Sequence, residues 1–222
     1  MLSLPISGFA GLFTTLPFSS GVLVPDGDGS GLLDVRAVAG QPLAIGELSV
    51  SLHLAGSGLG GMINGDLFAT LSYERTPGVV EAYAVLLNRP GLSVAQPDGY
   101  LDNGLSVTFR VGAPDIHVYG GNGGGGLVGG DWGADGRAVD PLLALDTVPR
   151  TAGLEGFQGM NPNGTWSLFV ADVMPGGRAQ LVSWSLGFTA VPEPEWYAGI
   201  GSVGLAAWAV ARRRMRSRCA VG

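Results

Sequence analysis

The side chains that do most enzyme chemistry are scarce in this chain: 222 residues hold two histidines, one cysteine and no lysine. The nearest approach to a nucleophile motif is Gly91-Leu92-Ser93-Val94-Ala95, a G-x-S-x-A spacing. A serine there needs a histidine as base and a carboxylate to orient it. His53 stands on the outward face of an alternating stretch and reads as solvated, and Ser93 reads as a loop residue ahead of Pro97-Asp98-Gly99. No catalytic residue is expected. Zinc takes three or four His, Cys or carboxylate ligands, and two distant histidines without a usable cysteine do not supply the common sets. Gly120 to Gly130 holds eight glycines in eleven positions, but a phosphate-binding P-loop requires G-K-[ST]. Without lysine neither that motif nor Schiff-base chemistry can form, and the tract reads as a long mobile loop.

Calcium is the ligand left open, because hard cations take several oxygen donors from Asp-rich loops. The candidates are Asp26 and Asp28, Asp98 and Asp102, and Asp131 and Asp135. None has EF-hand spacing, and Asp beside Gly is also ordinary turn chemistry. No other cofactor is expected. Trp166 and Trp184 lie in phase with apolar neighbours and belong to a core. Trp132, between Asp131 and Gly133, is the tryptophan placed to face a ligand such as a glycan.

The elements that must carry these residues read as strands. From Glu47 to Leu54, Leu48, Val50, Leu52 and Leu54 alternate with Glu47, Ser49, Ser51 and His53, the period of a half-buried strand. Similar runs occupy 66–73, 79–87, 105–111, 165–171 and 181–188, with weaker ones at 18–24 and 33–38. Asn64-Gly65, Asp98-Gly99, Asn103-Gly104, Asn163-Gly164 and Gly176-Gly177 mark turns between them. No segment before Trp196 keeps a helical period for three turns. About eight short strands with Gly-rich turns predict an all-β, antiparallel β-sandwich.

The last thirty-two residues have a different design. Val191, Pro192, Glu193 and Pro194 precede an uncharged run from Trp196 to Ala211, and Arg212, Arg213, Arg214, Arg216 and Arg218 follow. As a helix the run is about 24 Å long, slightly short of the ~30 Å hydrocarbon core. It lacks the polar stripe of a helix packed on a soluble domain. The arginines would hold the C-terminus on the cytoplasmic side, leaving the preceding domain periplasmic. This three-part tail resembles the PEP-CTERM sorting signal of Gram-negative bacteria, whose partner is the membrane protease exosortase. The resemblance implies a transient membrane anchor, cleavage at or near Pro192 to Pro194, and export to the cell surface or extracellular matrix, where matrix polysaccharide is a candidate partner.

Composition fits that destination. Without the residues after Pro194 the chain has seven Arg against seventeen Asp and Glu, about −10, so it lacks the basic footprint of nucleic-acid binding. Cys219, the lone cysteine, lies in the tail, which leaves no internal disulfide. A leader has a basic n-region before its apolar core, whereas residues 1–17 are apolar and the first basic residue is Arg36. The segment reads as a degenerate or truncated leader.

A second resemblance lies within residues 18–190. Asn163-Gly164-Thr165-Trp166-Ser167-Leu168, Ala171-Asp172, Gly176-Gly177 and Leu181-Val182-Ser183-Trp184-Ser185-Leu186 look like the closing hairpin of the P domain, or P/Homo B domain. Ile45 to Val50, Gly65-Asp66-Leu67 and Val85 to Arg89 are similar to the same family. P domains are jelly-roll-like sandwiches that accompany subtilisin-like proprotein convertases. The catalytic domain they accompany is missing here, and the His-Gly and Asp-Ser-Gly surroundings of its triad have no counterpart. The expectation is an exported, non-catalytic surface or matrix protein, with an accessory P domain that docks on or regulates a subtilisin-like protease as the alternative.

Overall fold

A computed structural model describes residues 13–41, 44–58, 60–123 and 125–191. Nine strands form: β1 (Phe13–Leu23), β2 (Asp28–Val38), β3 (Ala44–Gly56), β4 (Leu67–Glu74), β5 (Ala82–Asn88), β6 (Leu105–Phe109), β7 (Val128–Trp132), β8 (Gly164–Asp172) and β9 (Ala179–Val191). They make a five-stranded sheet, ordered β1-β9-β3-β6-β7, and a four-stranded sheet, ordered β2-β8-β4-β5. Among the described residues the remaining helical structure is four 3-10 turns, so the all-β expectation holds.

The alternation in β3 places Leu48, Val50, Leu52 and Leu54 in the core, with Ser51 and His53 half-buried on the outward face. Aromatic residues join the two sheets. Trp166 of β8 stacks on Phe157 with centroids 5.5 Å apart and touches Tyr73 of β4 at 4.8 Å and Phe188 of β9 at 5.7 Å. Its Nε1 donates to the Pro162 carbonyl (2.9 Å), and the Tyr73 hydroxyl donates to those of Asn161 (2.6 Å) and Asn163 (2.8 Å). Each large ring thus buries its apolar body while its polar tip keeps a partner.

Three features differ from the sequence expectation. The strand count is nine, because β7 forms inside the stretch read as a Gly-rich loop. Its pairing with β6 is parallel, and parallel neighbours need a crossover of a dozen or more residues, which residues 110–127 provide. The 163–186 segment is not a hairpin: β8 pairs with β2 and β4, and β9 with β1 and β3, so the chain crosses between sheets. At the N-terminus β1 begins at Phe13, and residues 13–17, assigned from sequence to the leader, pair with β9. The expected membrane helix 196–211 lies outside the described residues; within them no helix is long and apolar enough to cross a membrane.

Candidate functional site

The loop between β6 and β7 brings together a pair that sequence alone left apart. Asp115 caps the 3-10 turn Ile116–Val118 by accepting from the His117 amide at 2.9 Å. His117 is completely buried. Its Nδ1 lies 2.7 Å from Asp135 Oδ2, and its Nε2 lies 3.0 Å from the Leu92 carbonyl. A carbonyl only accepts, so Nε2 is a donor there. Asp135 also accepts from the Asn88 and Arg137 amides and from Arg137 Nη1, each at 3.2 Å. Arg137 reaches Asp115 at 2.9 Å through Nη2. Burial opposes the Arg137 charge, but the hydrogen bond to Asp115 and the charge of Asp135 outweigh it and raise its pKa.

This Asp–His pair has the makings of two-thirds of a triad, yet its geometry is that of a clamp. Nε2 is engaged by the backbone one residue before Ser93. The Ser93 hydroxyl accepts from the Gln96 amide at 3.1 Å inside a small loop. A general base must reach the proton that it removes, and here the imidazole instead anchors the 89–97 loop to the sandwich.

The other sequence-selected residues are dispersed. Asp102 is buried and occupied by protein donors, namely the Tyr119 hydroxyl at 2.9 Å and the Asn122 amide at 2.9 and 3.0 Å. Burial drives the Tyr119 pKa far above the ordinary tyrosine range. Asp131 pairs with Arg110 at 3.0 Å on the surface, Asp28 accepts from the Ser30 amide at 2.8 Å, and Asp98 is exposed. Trp132 ends β7 and packs partly buried near Tyr119, with Nε1 donating to the Gly129 carbonyl at 2.9 Å. Among the described residues, no three His, Cys, Asp or Glu side chains form a group able to hold a metal ion. Val191 ends β9; Pro192, Glu193, Pro194, Arg212, Arg213, Arg214, Arg216 and Arg218 lie outside the described residues.

Two buried acids that the sequence reading passed over stand out instead. Asp66 closes the 3-10 turn Asn64–Asp66, Asp172 ends β8, and the Val173 amide donates to the Asp66 carbonyl at 2.8 Å. Burial first, and then the charges of Asp66 and Asp26, push the Asp172 carboxyl up to about 7; the Met174 amide pulls the other way. Burial likewise lifts Asp66 to about 6, against the opposing charge of Arg89. A carboxylate embedded in an apolar run, as in Phe169-Val170-Ala171-Asp172, was the available signal.

The outer faces of the two sheets differ. On the five-stranded sheet half of the lining of a shallow cavity of about 490 Å³ beside His53 is Ser or Thr, with Ser51 and Thr108 hydroxyls 3.0 Å apart. On the four-stranded sheet, Leu33 (59% exposed), Val35 (51%) and Tyr83 (42%) share the outer surface with half-buried Phe68 and Phe169, whose rings meet edge-on at 6.1 Å. The strand register aligns Val35, Ser167, Ser72 and Tyr83 in one row and Leu33, Phe169 and Thr70 in the next.

No family model matches the chain, and no curated protein does. Among solved structures, the chain is similar to the Aeromonas sobria serine protease in its complex with a chaperone, at 16% identity and a TM-score of 0.41, covering 82% of this chain and 27% of that one. It is also similar to the serine protease of Aeromonas sobria, at 16% identity and a TM-score of 0.39, covering 81% of this chain and 27% of that one. The chain therefore spans about a quarter of the length of these proteins.

Proposed function

We propose that this chain is a non-catalytic, P-domain-like jelly-roll module that docks on a separate subtilisin-like serine protease and stabilises or regulates it. The observation that carries the docking reading is the apolar outer face of the four-stranded sheet. A sheet whose inner face already forms the core has no folding need for exposed Leu33, Val35 and Tyr83 on the other side, and clustered apolar surface with a polar surround marks interaction sites. The sealed His117–Asp135 pair supports an accessory role, because the strongest acid–base constellation is used as a structural clamp. The protease as partner follows from the sequence resemblance around Trp166 and Trp184.

Replacing Leu33 and Val35 together by Asp tests this reading. Both side chains are exposed, so the fold should survive, while co-purification with the protease, and protection of that protease against thermal inactivation, should fall at least about tenfold, as expected for an interface centre. Undiminished capture by the double variant would remove the face from consideration.

Destination is a separate proposal, resting on the PEP-CTERM-like tail: exosortase sorts the chain and releases the sandwich to the cell surface or matrix. If matrix polysaccharide is also bound, the hydroxyl-lined cavity beside His53 supplies better chemistry than Trp132, whose indole nitrogen is already engaged.

A further inference from the structure

The four-stranded sheet ends at β2, whose paired neighbour is β8 alone. That pairing is regular from Leu32 to Val38, after an irregularity between Asp28 and Leu32. Along the regular stretch, the main-chain groups that face away from β8 have no hydrogen-bond partner among the described residues. An open edge of this kind is a template for another strand, and proteins commonly guard it with Lys, Pro or inward-pointing charges. The stretch contains neither Lys nor Pro, which leaves Asp34 and Arg36 as the guard. Both are half-buried on the inner phase and neutralise each other, with Arg36 Nε 2.6 Å from Asp34 Oδ1. Arg36 is held there by the Ser19 carbonyl, 3.0 Å from Nη2, and by the Phe18 ring, whose centroid is 5.5 Å away.

This stretch is its own complement. Directly opposite residues of an antiparallel pair lie on the same face. A second copy related by a two-fold axis through Val35 therefore sets Val35 against itself, Leu33 against Ala37, Asp34 against Arg36 and Leu32 against Val38. The exposed outer row of Leu33, Val35 and Ala37 meets apolar partners, each inner charge meets its opposite, and the regular stretch is used from end to end. Neighbouring registers fail. Moving the axis to Asp34 or Arg36 places like charges face to face, which is destabilising. Moving it to the peptide between two residues sets the outer row of one copy on the inner face of the other.

We propose that two copies of this chain pair through the β2 edge, antiparallel about Val35, and join their four-stranded sheets into one. The contact is isologous and closes on itself, so it yields a dimer rather than a filament. Main-chain hydrogen bonds hold the two strands, and the reciprocal Asp34 and Arg36 pairs fix the register. The dimer also merges the two apolar outer faces around Leu33 and Val35 into one continuous surface. The protease is not needed for this pairing, which stands or falls on the chain alone.

Because residue 35 lies on the axis, a charge placed there faces itself. Sedimentation equilibrium of the full chain should give a dimer. Val35 is 51% exposed, so Val35→Lys and Val35→Glu should both fold, yet each should raise the dimer dissociation constant about tenfold. An equimolar mixture of the two variants should recover the parent's association, since Lys then faces Glu. Cross-linking reads the register directly. In a Cys219→Ser background, a short thiol cross-linker should join Val35→Cys chains about tenfold faster than Leu33→Cys or Ala37→Cys chains, because opposed Cβ atoms are about 4.5 to 5.5 Å apart. Leu33→Cys mixed with Ala37→Cys should cross-link as Val35→Cys does. The proposal fails if the parent is monomeric at about 100 µM, or if the three single-cysteine variants cross-link equally. Association that is indifferent to charge at residue 35, as contact through the C-terminal tail would be, also overturns it.

Discussion

At the scale of single residues, the informative groups are carboxylates taken out of water. Asp135 and Asp102 are buried with donors around them; Asp172 is buried without. That difference predicts a pH dependence of stability. An unfolded Asp releases its proton near pH 4, whereas folded Asp172 holds its proton up to about pH 7, and Asp66 up to about 6. Between those values the native state binds more protons than the unfolded chain, so stability falls as pH rises and levels off above about pH 7. Denaturant unfolding should therefore show a loss of stability from pH 4 to pH 8, of which Asp172 alone contributes up to about 4 kcal/mol. Asp172→Asn should flatten most of that slope, and an unchanged slope would show that burial is not penalising this carboxylate. Asp beside Gly is conspicuous in a sequence and marks those pairs as calcium candidates. Sequence alone does not reveal that Asp66 and Asp172, separated by more than a hundred positions, come together where β4 and β8 pair, or that Asp102 and Asp135 are claimed by Tyr119, Asn122 and His117.

At the scale of elements, period-two alternation and short apolar runs made eight of the nine strands legible; β3 alternates cleanly, whereas β5 is buried at every position but Tyr83. β7, Val128-Gly129-Gly130-Asp131-Trp132, has too few side chains to show a period, and its pairing comes from β6 beside it. The assignment of β8 and β9 to opposite sheets was also invisible, because both carry a Trp in the core-facing phase and the sequence between them reads as a turn. Close backbone approach is another property that sequence conceals. Gly65, in the turn that carries Asp66, packs against Gly99 of the Pro90–Tyr100 loop. Gly99 has φ +67°, and a Cβ there would fall 2.7 Å from the Pro90 carbonyl oxygen and 2.8 Å from Gly65 Cα. Gly99→Ala should then cost roughly 2 to 4 kcal/mol by combining left-handed strain with overpacking. Gly112→Ala provides the control: its φ is +78° but it has open space around it, so it should show the backbone cost alone. Equal losses at both positions would mean that the Gly65–Gly99 contact contributes nothing beyond φ.

At the scale of the whole molecule, the question is how a sandwich and a tail resembling a sorting signal share one chain. Val191 is the last residue of β9 and pairs with Ala44 of β3, while the strand already crosses the sheet between β1 and β3. The described sandwich reaches Val191, directly before the Pro192-Glu193-Pro194 motif, and proline has no amide donor to offer a ladder. A cut at the motif would remove five arginines and the lone cysteine without taking a core residue from the described sandwich. The released domain would carry about −10 on seven Arg and seventeen acids, a charge that favours solubility and calcium over polyanions. Its docking would then rest on the apolar face around Leu33 and Val35 rather than on attraction to nucleic acid. Two measurements follow from this layout. A chain truncated after Pro194 should unfold within about 2 °C of the full chain, since termini outside the core contribute little. The species recovered outside the cell should have an intact mass ending between Val191 and Glu195; a product still ending at Gly222 would overturn processing, and a large loss of Tm on truncation would mean that the tail belongs to the fold.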